Sequence, residues 1–179
     1  MPMFRTVTVA SMMLAVATPA AAQCVTAHSE GVFIAPYEVV YETIIDTAAY
    51  PDWNPYILAV DPSDADLTLI GETFTLTVQQ PLSGTIENPP EIVTGHQAPS
   101  HGSALVAYSF NDPYLAPALG FPERTQSLTD VFGFLTYYET EETFCGPLVA
   151  FIPTDDVQEG FDQQTWALGV ESFKRWLGF

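Results

Sequence analysis

Hydrophobic and polar positions change their period twice along this chain. From Ser29 to Ile34 the residues are β-branched, aromatic or small, and the run stops at Ala35-Pro36. Proline suits the first turn of a helix but not a strand interior, so a strand is predicted to hand over to a helix there. Between Pro36 and Ile45, Val39, Val40 and Ile44 together with Tyr41 and Ile45 recur at three- and four-residue spacings, the stripe of a buried helix. Asp46-Thr47 can cap a second short helix, Ala48 to Trp53, which Asn54-Pro55 ends because the residue before proline is pushed out of helical geometry.

From Tyr56 to Phe144 the period falls to two. The run Thr73 to Gln79 sets Phe74, Leu76 and Val78 on one face and threonines on the other, as a half-buried antiparallel strand does. Similar runs at Ile57–Asp61, Glu91–Gln97, Ala104–Phe110, Gln126–Phe132 and Leu135–Phe144 predict about six or seven consecutive strands in one strongly curved sheet. Pro81–Pro90, Ala98–Gly102 and Asn111–Glu123 read as loops. The period then returns to that of a helix, roughly Asp155 to Leu177, with Asp155, Asp156, Glu159 and Asp162 in its first turns and Lys174 and Arg175 in its last, an order that suits the helix dipole. Phe161, Trp166, Leu168, Val170, Phe173 and Leu177 form a broad apolar band on it, enough to cover a large sheet.

The chain begins with Arg5, an apolar run from Val7 to Val16 and the small residues Ala20-Ala-Ala22, the pattern of a secretory leader cut near Ala22. The expectation is a single domain over residues 23–179 in a periplasmic or secreted protein. Cys24 follows the expected cut, but Gln23 is not the small residue that lipoprotein processing wants. The 22 acidic side chains face only 4 basic ones, and a net charge of −18 argues against nucleic acid or an anionic membrane surface as partner. Such a surface reads first as a means of solubility. The pattern leaves oligomeric state open.

Cys24 and Cys145 are the only cysteines, and an exported compartment lets them oxidise, so one disulfide is expected. There is no GxSxG elbow, HExxH helix, phosphate loop or GxGxxG turn, which removes the corresponding hydrolase, metalloprotease and nucleotide readings. Three scattered histidines make a metal site improbable, and no cofactor is implied. His101 falls in a solvated turn. His96, ending a strand beside Gly95, is the candidate general base, and Glu87, Asp112 and Asp130 are generic acids on an acidic chain.

Specific residues narrow the fold. Ile34-Ala-Pro36 to Val39, Ile45-Asp46 and Tyr50-Pro-Asp-Trp-Asn-Pro-Tyr56 resemble the opening signature of the START/SRPBCC superfamily of polyketide cyclases and lipid-transport proteins. Glu142-Thr-Phe144 with Gly146-Pro-Leu148, then Gly160-Phe161 and Ala167-Leu168, is similar to its closing pattern. The resemblance spans about residues 29 to 177. It implies an α+β helix-grip fold, a curved antiparallel sheet around the long helix, with a cavity between them for a small hydrophobic molecule. Gly169 departs from the longer polar side chain common among relatives and reads as a kink or as close packing on the sheet.

On that frame Trp53, Tyr56, Phe74, Leu76, Tyr108, Phe110, Tyr137, Trp166, Val170 and Phe173 are the expected ligand-facing residues. Tyr137 and Tyr138 cannot both face inward. Trp53-Asn54 reads either as a pocket gate or as a helix terminator with a buried indole. The leading expectation is an exported carrier of a lipid, sterol, polyketide or aromatic molecule. The alternatives are a cyclase- or dehydratase-type enzyme, with His96 or a buried carboxylate moving a proton, and an interaction module whose cavity has filled.

Overall fold

The computed structural model describes residues 23–81 and 83–179. The segment read as a leader, residues 1–22, lies outside them. Strand β1 runs Cys24–Phe33, helix α1 Tyr37–Ile45 and, after a 3-10 turn, helix α2 Tyr50–Trp53. Strands β2 (Ile57–Asp61), β3 (Thr73–Gln80), β4 (Gly84–Glu87), β5 (Glu91–Ser100) and β6 (Ser103–Phe110) follow. Helix α3 (Leu115–Ala118) precedes β7 (Glu123–Asp130) and β8 (Thr136–Cys145), and helix α4 (Thr154–Leu177) closes the chain.

The strands form one antiparallel sheet in the order β1-β8-β7-β6-β5-β3-β2, with β4 paired to β3 off that path. Two elements lie in segments expected to be loops. β4 forms because Gly84, at φ +90, turns the chain back so that Gly84–Glu87 pairs with Thr77–Gln80, although the flanking Pro81, Pro89 and Pro90 read as loop. α3 is a single turn between Asn111 and Glu123, held by the Asp112 carboxylate, whose Oδ1 accepts the N–H groups of Tyr114 and Leu115. β1 is also longer than the apolar run suggested, because Cys24 to Ser29 gain partners on β8.

The strong curvature lets the sheet wrap α4. Two glycines set the approach of that helix. A Cβ at Gly160 would sit 2.2 Å from the Tyr56 ring, and one at Gly169 would sit 2.8 Å from the Phe33 ring. Gly169 is therefore close packing, and the helix dipole is completed at Gly178, whose left-handed backbone donates to the Arg175 carbonyl. The apolar band on α4 divides. Val157, Phe161 and Leu168 are buried against the sheet, whereas Trp166, Val170 and Phe173 face outward. The interior face of α4 is completed by Gly160, Gln164, Thr165, Ala167 and Ser172, small or polar residues that leave room for the sheet's own side chains. Cys24 and Cys145 are disulfide-bonded, closing the open end of the β1–β8 ladder.

Candidate functional site

A cavity of about 260 Å³ lies in the grip between sheet and helix. Its walls come from Tyr56, Phe110, Leu119, Phe144, Leu148 and Val157, with Phe151 and Ile152 from the segment before α4 and Ile86 from β4. The polar groups on it are Gln80, Asn88, the Tyr56 hydroxyl and the Glu142 carboxyl.

Cross-strand register explains the charge beneath this apolar wall. Tyr108 on β6, Arg124 on β7 and Glu142 on β8 are direct neighbours in one row, and Glu91 on β5 faces Phe110 in the next. All of these side chains point to the concave face, since residues in register on neighbouring strands share a face. Arg124 is buried. Its Nε donates to Thr140 Oγ1 at 3.2 Å, its Nη2 to Gln164 Oε1 at 2.8 Å, and its guanidinium lies 3.9 Å over the Phe161 ring. Alongside, Tyr138 donates to Gln126 Oε1 at 2.9 Å. Among the described residues no carboxylate lies within ion-pair distance of Arg124.

The two carboxyls that answer its charge at longer range are therefore poorly solvated and incompletely compensated. Glu91 is buried, with Asn88 Nδ2 donating to its Oε1 at 3.2 Å, and burial together with the nearby Glu142 pushes its pKa up to about 8. Glu142 opens on the cavity and keeps some accessibility through it. Burial raises its pKa to about 7, with the positive charge of Arg124 opposing. Tyr56 and Tyr108 are held above the ordinary phenol range, chiefly by burial, and stay neutral hydrogen-bonding groups. The arrangement is a small apolar chamber with the Glu142 carboxyl on its wall and the Glu91 carboxyl behind it, both raised by burial.

The expected ligand-facing residues fall into four places. Tyr56 and Phe110 line the cavity. Phe74, Leu76 and Tyr108 are in the core, where Phe74 meets Tyr108 edge to face. Trp53 packs edge to face on Tyr50, and Asn54 Oδ1 accepts the N–H groups of Tyr56 and Ile57, so this motif ends α2 and starts β2. Tyr137 points outward to the Glu30 carboxylate, and Trp166, Val170 and Phe173 line a separate outer groove against β1. His96 is on the concave side but lies under α1, sharing a 2.5 Å hydrogen bond with the Tyr41 hydroxyl. It is absent from the cavity wall.

Glu87 is exposed, Asp112 caps α3 and Asp130 accepts the Gly133 N–H. The residues that sequence reasoning did not single out as a site are Glu91, Arg124 and Glu142. Alternation carried a signal for the last: Tyr138, Thr140, Glu142 and Phe144 share one face of β8. On the outer face His28, Glu30 and Glu139 bring possible ligand atoms within 4.8 Å of one another. The 3.0 Å contact of His28 with Glu139 and the Tyr137 bond to Glu30 account for that cluster without an ion.

No protein-family model and no curated protein matches the sequence. Solved structures do match. The Zhui aromatase/cyclase of Streptomyces sp. R1128 superposes with a TM-score of 0.58 at 14% identity, over 86% of this chain and 96% of its own. The chain has the SRPBCC/START-like helix-grip fold. Norcoclaurine synthase of Thalictrum flavum shares it, with a TM-score of 0.62 at 10% identity over 87% of this chain and 98% of its own, for a point mutant bound to a transition-state analogue. A second structure of that synthase, in complex with dopamine and hydroxybenzaldehyde, gives 0.56 at 11% identity over 92% and 98%. At these identities the likeness carries the helix-grip fold alone. The chamber capable of enclosing a small hydrophobic molecule is this chain's own geometry.

Proposed function

We propose that this helix-grip protein is an enzyme of the cyclase or dehydratase kind, acting on a small, largely apolar molecule with Glu142 as its general acid–base. The observation that carries the reading is a carboxyl on the wall of an apolar chamber, in register with a buried arginine that has no ion-pair partner among the described residues. A cavity of about 260 Å³ falls just below the ~300–1,000 Å³ of drug-sized sites, which suits a molecule of one or two rings. A general acid–base works best with a pKa near the working pH, as Glu142 has at about 7. In the ionised form it takes a proton from the bound molecule, and in the protonated form it returns one. Arg124 stabilises negative charge as it develops, and Glu91 stays protonated behind it.

The fold-mates support this by analogy, since two are named as an aromatase/cyclase and a synthase. A carrier would use the same chamber without turnover. The leader-like start and the disulfide support a place outside the reducing cytosol.

The test is native mass spectrometry of the mature protein from its own host, identification of what co-purifies, and incubation of that compound and its plausible precursors with wild type and Glu142→Gln. Turnover by wild type that falls about 10²–10⁴-fold in the variant, with binding kept, supports the enzyme. Compounds returned unchanged by both proteins make it a carrier. If nothing co-purifies and an apolar fluorescent probe also fails to bind, the chamber reading itself is lost.

A further inference from the structure

The outer groove, about 590 Å³, is lined by every residue from Ser29 to Ile34 and by Asp162, Thr165, Trp166, Gly169, Val170, Phe173 and Lys174 of α4. Five consecutive strand residues, Ser29 to Phe33, with Ile34 just beyond them, can line one groove only if it runs along the strand's edge, because a face would show alternate ones. β1 is indeed the terminal strand of the sheet. At His28 that edge is already closed by a side chain acting as a strand: Gln158 Oε1 accepts the His28 N–H at 3.1 Å and Gln158 Nε2 donates to its carbonyl at 2.7 Å. With a period of two, the backbone groups of Glu30 and Val32 point the same way, into the groove. The side chains around them are apolar and open: Val32 is 62% exposed, Ile34 55% and Trp166 72%. An uncovered edge of this kind pairs readily with another chain.

The charges on the groove decide which chain. Glu30 and Asp162 lie at one end and Lys174 at the other, because β1 and α4 run in the same direction, with Gly31 beside Thr165 and Phe33 beside Gly169. A two-fold axis across the groove exchanges its ends and sets the acidic end of one copy on the basic end of the other, and isologous interfaces have this self-complementarity. We propose that β1 pairs with β1 of a second copy, antiparallel and centred on Val32. The Glu30 backbone then lies opposite the partner copy's Ile34, its carboxylate staying on the outer face with Tyr137, while Asp162 on α4 comes near that copy's Lys174, whose only ion pair within its own chain, among the described residues, is the exposed one with Glu171. Trp166, Val170 and Phe173 of each copy cover the junction. Gln158 and Pro36 limit the pairing to the stretch from Glu30 to Ile34. The net charge of −18 on each copy opposes association, so the dimer forms with rising concentration and at salt that screens long-range repulsion.

The test is sedimentation velocity of the mature protein across the micromolar range, with Lys174→Glu, Asp162→Lys and the double variant. The expected result is a wild-type dimer, weakened about five- to tenfold by each single change and restored in the double variant, where the charges are swapped but complementary. Val32→Cys gives a second reading, since a hydrogen-bonded antiparallel pair brings Cα atoms to ~5.5 Å, within disulfide reach. Oxidation is expected to yield a covalent dimer, and a Ser63→Cys control, at an exposed position away from β1, is expected to yield none. A wild-type monomer throughout, with Val32→Cys uncrosslinked, overturns the proposal. So does a dimer that all three charge variants leave unchanged.

Discussion

Glu91 offers the sharpest test of the interior electrostatics. It is buried, and its pKa is displaced from 4.5 to about 8 by burial and by the Glu142 carboxyl. The folded chain therefore holds a proton that the unfolded chain gives up near the ordinary glutamate value. Because the folded state binds more protons in that interval, stability is full below about pH 4.5 and is lost as pH climbs toward about 8. At ~1.4 kcal/mol per pH unit for one group, the displacement amounts to about 4–5 kcal/mol, an upper bound because relaxation and water penetration reduce it. Glu91→Gln supplies a neutral group of the same shape that keeps a contact with Asn88. Below pH 5 the variant is expected to match wild type within about 1 kcal/mol; at pH 9 it is expected to be the more stable protein by several kcal/mol. Urea denaturation at pH 5, 7 and 9 measures both, and the difference between the proteins cancels the titration of the acidic residues other than Glu142, whose charge is coupled to Glu91. Parallel pH profiles for the two proteins would refute the reasoning.

Two further outcomes follow from packing and covalent structure. Cys24→Ser opens a loop whose ends lie 121 residues apart, and it is expected to cost about 4–5 kcal/mol in the chain-entropy model; urea midpoints with and without reductant check it, and a loss below about 1 kcal/mol counts against it. Gly160→Ala drives a methyl into the Tyr56 ring, so it is expected to destabilise by about 1–3 kcal/mol despite alanine's ~1 kcal/mol helix preference. It should also weaken binding of an apolar probe, because Tyr56 walls the chamber. A more stable variant with unchanged probe affinity would contradict the packing.

The elements were legible because their signals are local. Of the stripe, Val40, Tyr41 and Ile44 became the buried face of α1, with Val39 and Ile45 half-buried beside it, and Phe74, Leu76, Val78 became the buried face of β3. The site was harder to read because register and packing decide it. Arg124 and Glu142 lie in different sequence neighbourhoods and become neighbours only when β7 and β8 pair, so neither stood out as part of a site. The α4 band misled for a related reason: Trp166 and Phe173 have the right chemistry for a wall, but the face that the sheet accepts carries Phe161, Leu168 and small residues such as Gly160 and Ala167, and these two rings fall outside it. His96 read as a base because histidine titrates near neutrality, yet the structure gives its Nε2 to Tyr41 under α1.

The join between β3 and β5 is the short seam in the wall of the chamber. Only Thr73 and Phe74 pair with Ile92 and Glu91, with Gly71 and Glu72 bonded to Val93 beside them, whereas the β1–β8 ladder runs for ten registered pairs under a disulfide. The remainder of β3, with β4 and β2, is thus a panel attached along a short seam, and it carries Gln80 and Ile86 of the chamber wall. Local opening concentrates where the fewest backbone bonds must break. Hydrogen exchange is therefore expected to be faster for the β2 and β4 amides than for those of the β1–β8 ladder, and fraying at the seam reshapes the chamber wall at lower cost than any opening on the disulfide side.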